Sequence, residues 1–424
     1  MLIQLKNILW GRPSAILILL FGVYFTAALI RRGAFGGGNI RDAVKSYKAS
    51  GGEGISPLAS LATALGGTVG IGSITGVGLA LSVGGAGSML WFWLCGLVCS
   101  GIKYAEVIAA SLDRVRKNGV IVGGAMYSLK NSGHGIMAVM FASAGIAASF
   151  GTGNMTQASA VGDIMEKGGI PRVLTGVLLA ALVAFAVFGG QKRIAGVSCV
   201  LVPAAGVIYL VCALFLLIIG IPALPGVFMK IFTSAFGIRQ ASGGFLGAAV
   251  GNAISVGITR CIFSNEAGMG TSPMAHASAE NVKPTAQGMM GAAEIIADTF
   301  IFSTVTALAL LCHGTDDVYT LFDEKCGAFG RLILPVLLVI FAYAAIIAWC
   351  YYAESCISFL LPSHGKSALS LYRLATVAFV FAGVTVSSEA VWNIADILNA
   401  LMMIPNLFDL FIKRKEILKC IGTR

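Results

Sequence analysis

Eleven apolar stretches, each about as long as a bilayer is thick, follow one another along the 424 residues. They fall near residues 14–30, 56–82, 88–111, 134–163, 172–188, 194–219, 243–275, 285–312, 329–360, 370–386 and 391–412. Crossing the hydrocarbon core takes about 20 apolar residues in a helix. In lipid the backbone must satisfy its own N–H and C=O groups, which makes helices the default. The alternating pattern of a membrane barrel is absent. Only 11% of residues are charged, against about 25% in a soluble domain. The predicted class is therefore an all-α polytopic membrane protein with about eleven transmembrane helices. Two further stretches, 38–50 and 224–239, read as amphipathic helices lying in the interface. The run "SAILILLFGVYFTAALI" is followed by Arg31-Arg32 with no small-residue cleavage site. It reads as a membrane helix and not as a cleaved signal.

The net charge of +10 is accounted for by lysines and arginines in loops facing a cytoplasm, so no nucleic-acid partner is expected. With the N-terminus outside and the C-terminus inside, nineteen of the 29 basic residues fall on the inner side and eight on the outer. The acidic loop "GTDDVYTLFDEK" then lies outside. The expected location is a cell (inner, plasma) membrane, multi-pass, surrounded by lipid. The ten cysteines form no CxxC pair. Cys95 and Cys99, one turn apart, read as small buried hydrophobes. Cys312 and Cys326 flank one loop and read as two free thiols, or as a pair if the loop faces an oxidising space. No metal-ligand cluster and no nucleophile–base pair is visible, so neither a metal site nor an enzyme is expected, and no cofactor.

Two of the spans are interrupted. The second contains "GGTVGIGSITG", residues 66–76, and the seventh contains "FSNEAGMGTSP". Each opens a run of five spans. Five is odd, so the runs have opposite topology, and glycine-interrupted helices at matching positions point to an inverted-repeat transporter site. Glycine lets the backbone leave the helix. The freed N–H groups suit a carboxylate and the freed carbonyls suit a cation. The expected division is 1–55 for an extra N-terminal helix and an amphipathic segment, 56–219 for the first repeat, 220–242 for an outer connector, 243–412 for the second repeat, and 413–424 for a basic cytoplasmic tail. Gly72 and Gly76 also form a GxxxG, which by itself signals only close helix packing.

Several polar residues interrupt apolar surroundings, each with two readings. Gln157 lies mid-span, where a polar side chain faces the bundle interior, as a solute contact or as glue to another helix. Asn265 is a ligand or a helix cap. Glu266 is a cation or proton site, or a carboxylate at a half-helix N-terminus, and Arg260 is its salt partner or a snorkelling cation. Glu294 and Asp298 share one face, as an ion path or a polar seam. Lys103 and Glu106 read as structural.

The runs "GGTVGIGSITGVGLAL", "GGAGSMLWFWLCGLVCSGIKYAEV", "SFGTGNMTQASAVGD", "RCIFSNEAGMGTSPMAHASAE", "ADTFIFSTVTALALL", "FAYAAIIAWCYYAES" and "VWNIADILNALMMIPNL" span residues 56 to about 407 in order. Through them the chain resembles the alanine or glycine:cation symporters, also called sodium:alanine symporters. The resemblance implies a leucine-transporter-type fold, a five-plus-five inverted repeat in which the first span is extra. It implies that Gln157 contacts the substrate, that Phe263, Ser264 and Asn265 form the unwound part of the second broken helix, and that Trp349 is an aromatic near the substrate. Gly70 and Gly72 match the first unwound stretch, whose backbone amides would hold a carboxylate, with Ser73 beside them.

The chain departs from the family at Ile71-Gly72-Ser73, where Thr-Gly-Asn is common, and at Ser159 and Ala160 after Gln157-Ala158. It also has Ala344 and Ala345 where two threonines are common. In folds of this type hydroxyls at such positions ligate sodium. A hard cation needs several oxygens, and alanine supplies none from its side chain. Main-chain carbonyls of Thr68 and Val69, with Ser73, are the remaining expected ligands. The resemblance thus implies a monomeric secondary transporter for small neutral amino acids, coupled to sodium and working by alternating access. The alternative is a degenerate relative with proton-coupled or uncoupled transport.

Overall fold

The structure is a computed structural model and describes residues 9–10, 12–47, 55–117, 120–237, 246–363, 365–385 and 389–422. Helix α1 (Arg12–Arg31) is followed by the short amphipathic α2 (Gly37–Tyr47), then by the broken pair α3 (Pro57–Thr68) and α4 (Ile71–Gly84). Ser56 caps α3, accepting from the Ala59 N–H at 3.2 Å, with Pro57 at the first helical position, where its missing N–H costs nothing. Helix α5 (Ser88–Leu112) leads through a hairpin, β1 (Val115–Lys117) and β2 (Val120–Val122), to α6 (Ala125–Asn131). Then α7 (Gly135–Ala148), a π-helical stretch (Ser149–Met155) and α8 (Thr156–Lys167) form one span. Helices α9 (Arg172–Val187) and α10 (Gly190–Ile219) complete the first half, and α11 (Leu224–Ala235) connects the halves.

The second half begins with another broken pair, α12 (Leu246–Asn265) and α13 (Ser272–His276). Helix α14 (Pro284–Ile295), a second π-helical stretch (Ile296–Ser303) and α15 (Thr304–His313) make the next span. Helices α16 (Val318–Leu360, broken by a kink at Gly327, whose backbone leaves the helix at φ 56°), α17 (Gly365–Thr385) and α18 (Glu389–Gly422) follow. Among the described residues, nine helices or helix pairs are long and apolar enough to cross a membrane. The shorter α9 and the broken α12–α13 bring the spans to eleven, each within reach of its expected range. Residues 48–50, 238–239 and 243–245, at the edges of the amphipathic stretches and of the seventh span, lie outside the described residues, as does Arg424.

The breaks differ from their expected extent. The first is only Val69–Gly70, and Gly72 and Ser73 already belong to α4. The second runs through residues 266–271, so Phe263, Ser264 and Asn265 form the last turn of α12 and not the unwound part. Sequence could not place that boundary, because Glu266, a residue with a Cβ, is the one that turns left-handed, at φ 52°. Glycines at 268 and 270 continue the turn at φ 86° and 71°. A non-glycine residue in this region is strained by Cβ–carbonyl contact and persists only where its surroundings hold it.

Small residues let the helices approach closely, as they do in membranes. Helix α5 packs against α1, α12 and α14. A Cβ on Gly101 would strike Thr26 of α1, and one on Gly291 of α14 would strike Val107 and Lys103 of α5. Ile136, Val200 and Leu371 are exposed apolar side chains on the outside of the bundle, which suits a surface meeting lipid. Cys312 and Cys326 are free thiols, and Cys95 and Cys99 are buried ones.

Candidate functional site

The first break ends at Gly70, the N-cap of α4, which has no side-chain capping bond. The opening N–H groups of α4 therefore have no partner from a capping side chain, and a helix N-terminus favours an anion. Gln157 faces this point from the start of α8. A Cβ built on Gly70 would lie 3.7 Å from Gln157 Oε1, and that oxygen is buried with no hydrogen-bond partner among the described residues. A buried acceptor left unpaired costs about 1–3 kcal/mol, and since Gln157 lines a cavity, a donor entering that cavity can satisfy it. The π-helical stretch before it carries Gly153, on which Trp349 of α16 packs so closely that any side chain there would overlap it.

The second broken helix lies against the first. A side chain at Gly72 would meet Ser264 Cα at 3.7 Å and the Phe263 ring at 3.8 Å. Ser73 and Ser264 both donate hydrogen bonds to the carboxylate of Asp298, which sits in the π-helical stretch after α14. Ser264 Oγ is 3.0 Å from each carboxylate oxygen, and Thr299 Oγ1 adds a third donor at 3.3 Å. Ser73 Oγ also lies 3.2 Å from the Thr68 carbonyl. Two carboxylate oxygens, three hydroxyls and one carbonyl thus cluster where the two broken helices meet. Hydroxyls that donate to the carboxylate can rotate and offer lone pairs to a cation instead, and oxygen is what a hard cation takes.

A cavity of about 300 Å³ opens beside this cluster, lined by Ile71, Gly72, Gln157 and Phe263, with Arg260 and Asp317 among the charged residues of its wall. Of the other expected site residues, Ser73 and Ser264 turn to Asp298, and Asn265 is consumed by the chain itself: its Oδ1 accepts from the Ala267 N–H at 3.0 Å and its Nδ2 donates to Cys261. Trp349 does not line the cavity. It is buried, and its Nε1 donates to Glu266 at 3.0 Å. Thr271 Oγ1 donates to the other oxygen of Glu266 at 2.6 Å. Both carboxylate oxygens being held explains how Glu266 keeps its left-handed backbone. Arg260 is on the cavity wall and makes no ion pair with Glu266, whose oxygens are held by Trp349 and Thr271. Ala344 and Ala345 do face the first broken helix, with methyls 3.5 and 3.7 Å from where side chains at Gly66 and Gly70 would begin.

Toward the other end of the bundle the second break is pinned by buried polar groups. Lys103 Nζ donates to Ser272 Oγ at 2.8 Å and lies 3.5 Å from Glu294. Gln287 donates to His276 Nδ1, so Nε2 carries the ring proton and donates to Glu294 at 3.0 Å. Glu106 accepts from the Gly270 N–H at 3.0 Å and from Asn406, which also donates to the Gly268 carbonyl at 2.8 Å. Glu294 and Asp298 therefore part company: the first belongs to this lattice and the second to the helix breaks. The sequence signal for Asp298, one helical turn from Glu294, gave no hint of its serine partners.

Comparison with known proteins adds to this geometry. The model of the sodium:alanine symporter family matches residues 1–422. The sodium/alanine symporter AgcS of Methanococcus maripaludis is 36% identical, over 96% of this chain and 93% of its own. The probable sodium/glutamine symporter GlnT of Bacillus subtilis is 32% identical, over 97% of this chain and 87% of its own. Among solved structures, that of MhsT in complex with L-phenylalanine superposes with a TM-score of 0.61 at 15% identity, covering 86% of this chain and 90% of that one. At that identity the likeness concerns the fold, a leucine-transporter-type arrangement.

Proposed function

The chain belongs to the sodium:alanine symporter family, and from that premise we propose that it carries small neutral amino acids, namely alanine, glycine and serine, together with sodium. The observation that carries the reading is the unpaired Gln157 Oε1 opposite the uncapped start of α4. A zwitterion fits both: its carboxylate takes the N–H groups after Gly70, and its ammonium donates to Gln157. In this reading sodium takes Asp298 with Ser73, Ser264 and the Thr68 carbonyl, which lie together at the helix breaks. The cavity opens toward the Asp317 end, while the Lys103–Glu294 lattice closes the other. Such a state is one half of an alternating-access cycle, and the positive-inside count puts the open end outside, with the C-terminus in the cytoplasm. The proposed working unit is the monomer.

The test is uptake of labelled alanine into proteoliposomes. Gln157→Ala should lower uptake about 5- to 150-fold, the equivalent of ~1–3 kcal/mol. Its elution on gel filtration and its melting temperature should stay those of the wild type. Wild-type uptake by this variant would end the proposal.

Side-chain selectivity follows from the close approach of Gly72 to Phe263 and Ser264, at 3.7–3.9 Å from a Cβ position. Serine should compete with alanine for uptake, and phenylalanine and glutamine should not. Glutamine competing as well as serine would assign this chain the specificity that the Bacillus relative's name carries.

A second reading has an observation in its favour. At positions 344 and 345 α16 turns methyls and not side-chain oxygens to the first broken helix, so a proton on Asp298 could replace sodium.

A further inference from the structure

At the end of the bundle opposite the Asp317 loop lies a second cavity, of about 480 Å³, which shares no lining residue with the first. Its charged lining comes from four elements: Lys117 of β1, Lys192 of α10, Glu354 of α16, and Lys366 and Arg373 of α17. Glu354 is buried and already committed, accepting from Arg373 Nε at 2.6 Å. The lining is therefore strongly positive. Lys117 is held at the edge, donating to the Ser358 carbonyl at 3.2 Å and lying over the Tyr127 ring, while Lys192 and Lys366 are exposed.

The backbone is arranged for the same charge. Helix α10 starts in this cavity after Gly189, which provides no side-chain cap, and α17 starts in it at Gly365. Gly190 adopts φ 71°, and a Cβ on it would lie 3.2 Å from Arg373 Nη2, so the guanidinium packs on the bare turn. Two helix N-termini and four cations converge on one hollow, which suits a phosphate. The rim is apolar. Leu361, Pro362 and Leu369 belong to the lining, and Leu361 and Pro362 are exposed.

We propose that this cavity binds the phosphate of an anionic phospholipid, with the acyl chains running out over Leu361 and Leu369. A free phosphate would use the basic lining and leave the apolar rim without a role. Basic pockets between membrane helices at the cytoplasmic side recognise such headgroups by this combination.

The full-length protein in neutral detergent is titrated with phosphatidylglycerol, with phosphatidylcholine, and with sodium phosphate at matched ionic strength, and melting is followed. Phosphatidylglycerol should raise the melting temperature where phosphatidylcholine does not, and the effect should weaken with salt. Lys192→Gln with Lys366→Gln should weaken the phosphatidylglycerol effect about 25-fold, and Lys366→Gln alone about fivefold. Both variants should melt as the wild type does in phosphatidylcholine. An equal response of wild type and double variant to phosphatidylglycerol, or no preference over phosphatidylcholine, overturns the proposal. Equal stabilisation by sodium phosphate overturns the lipid and leaves a free phosphate site.

Discussion

Replacing Lys103 with Met is expected to cost about 3–5 kcal/mol of stability, the usual penalty for removing one partner of a buried ion pair. Lys103 and Glu294 are both fully buried, and the lysine also donates to Ser272 at the start of α13. Without it the fully buried Glu294 keeps its bond from His276 but loses its cationic partner. The expected result is a sharply lower melting temperature and loss of the monodisperse peak on gel filtration. Adding Glu294→Gln should recover much of the loss, because the stranded charge is removed with its partner. A Lys103→Met protein that melts like the wild type would show that this lattice does not hold the second break in place.

Replacing Asp298 with Asn is expected to weaken sodium activation of uptake by about 2–5 kcal/mol, roughly thirtyfold to several-thousandfold, as for one side of a buried charge pair. The amide keeps the size of the carboxylate and one acceptor for Ser73 and Ser264, so the fold should survive. What it loses is the charge that the proposed sodium ion would meet. The methyls of Ala344 and Ala345 offer no side-chain oxygen that could take over. Uptake is measured at fixed pH with sodium replaced stepwise by choline, then with an imposed pH gradient. Unchanged sodium activation in Asp298→Asn would remove the ion from this place. Wild-type accumulation driven by the pH gradient alone would favour the proton reading, and accumulation under neither gradient would favour an uncoupled carrier.

The span count, the two interrupted helices and the family were all legible in the sequence, for a local reason. Hydrophobic length and glycine density are properties of neighbouring residues, and a lipid solvent leaves the backbone almost no choice but helix. The motif "FSNEAGMGTSP" likewise marked the second break within a few residues. Its boundary was not legible, because Glu266 takes the left-handed turn only with Thr271 and Trp349 holding its carboxylate, and Trp349 lies 83 residues away.

Side-chain assignments divide the same way. Gln157 could be singled out because an uncharged amide in mid-membrane is costly wherever it points. Trp349 could not be assigned: an indole next to a substrate and an indole bonded to a buried carboxylate look alike in sequence. Asp298 meets Ser73, 225 residues away, and Ser264, 34 residues away. No spacing rule joins such positions. Sequence by itself determined that this chain spans a membrane as two interrupted five-helix runs. Only the tertiary structure decided which carboxylates serve the helix breaks and which lock them, since burial, partners and reach exist only once the two halves are packed against each other.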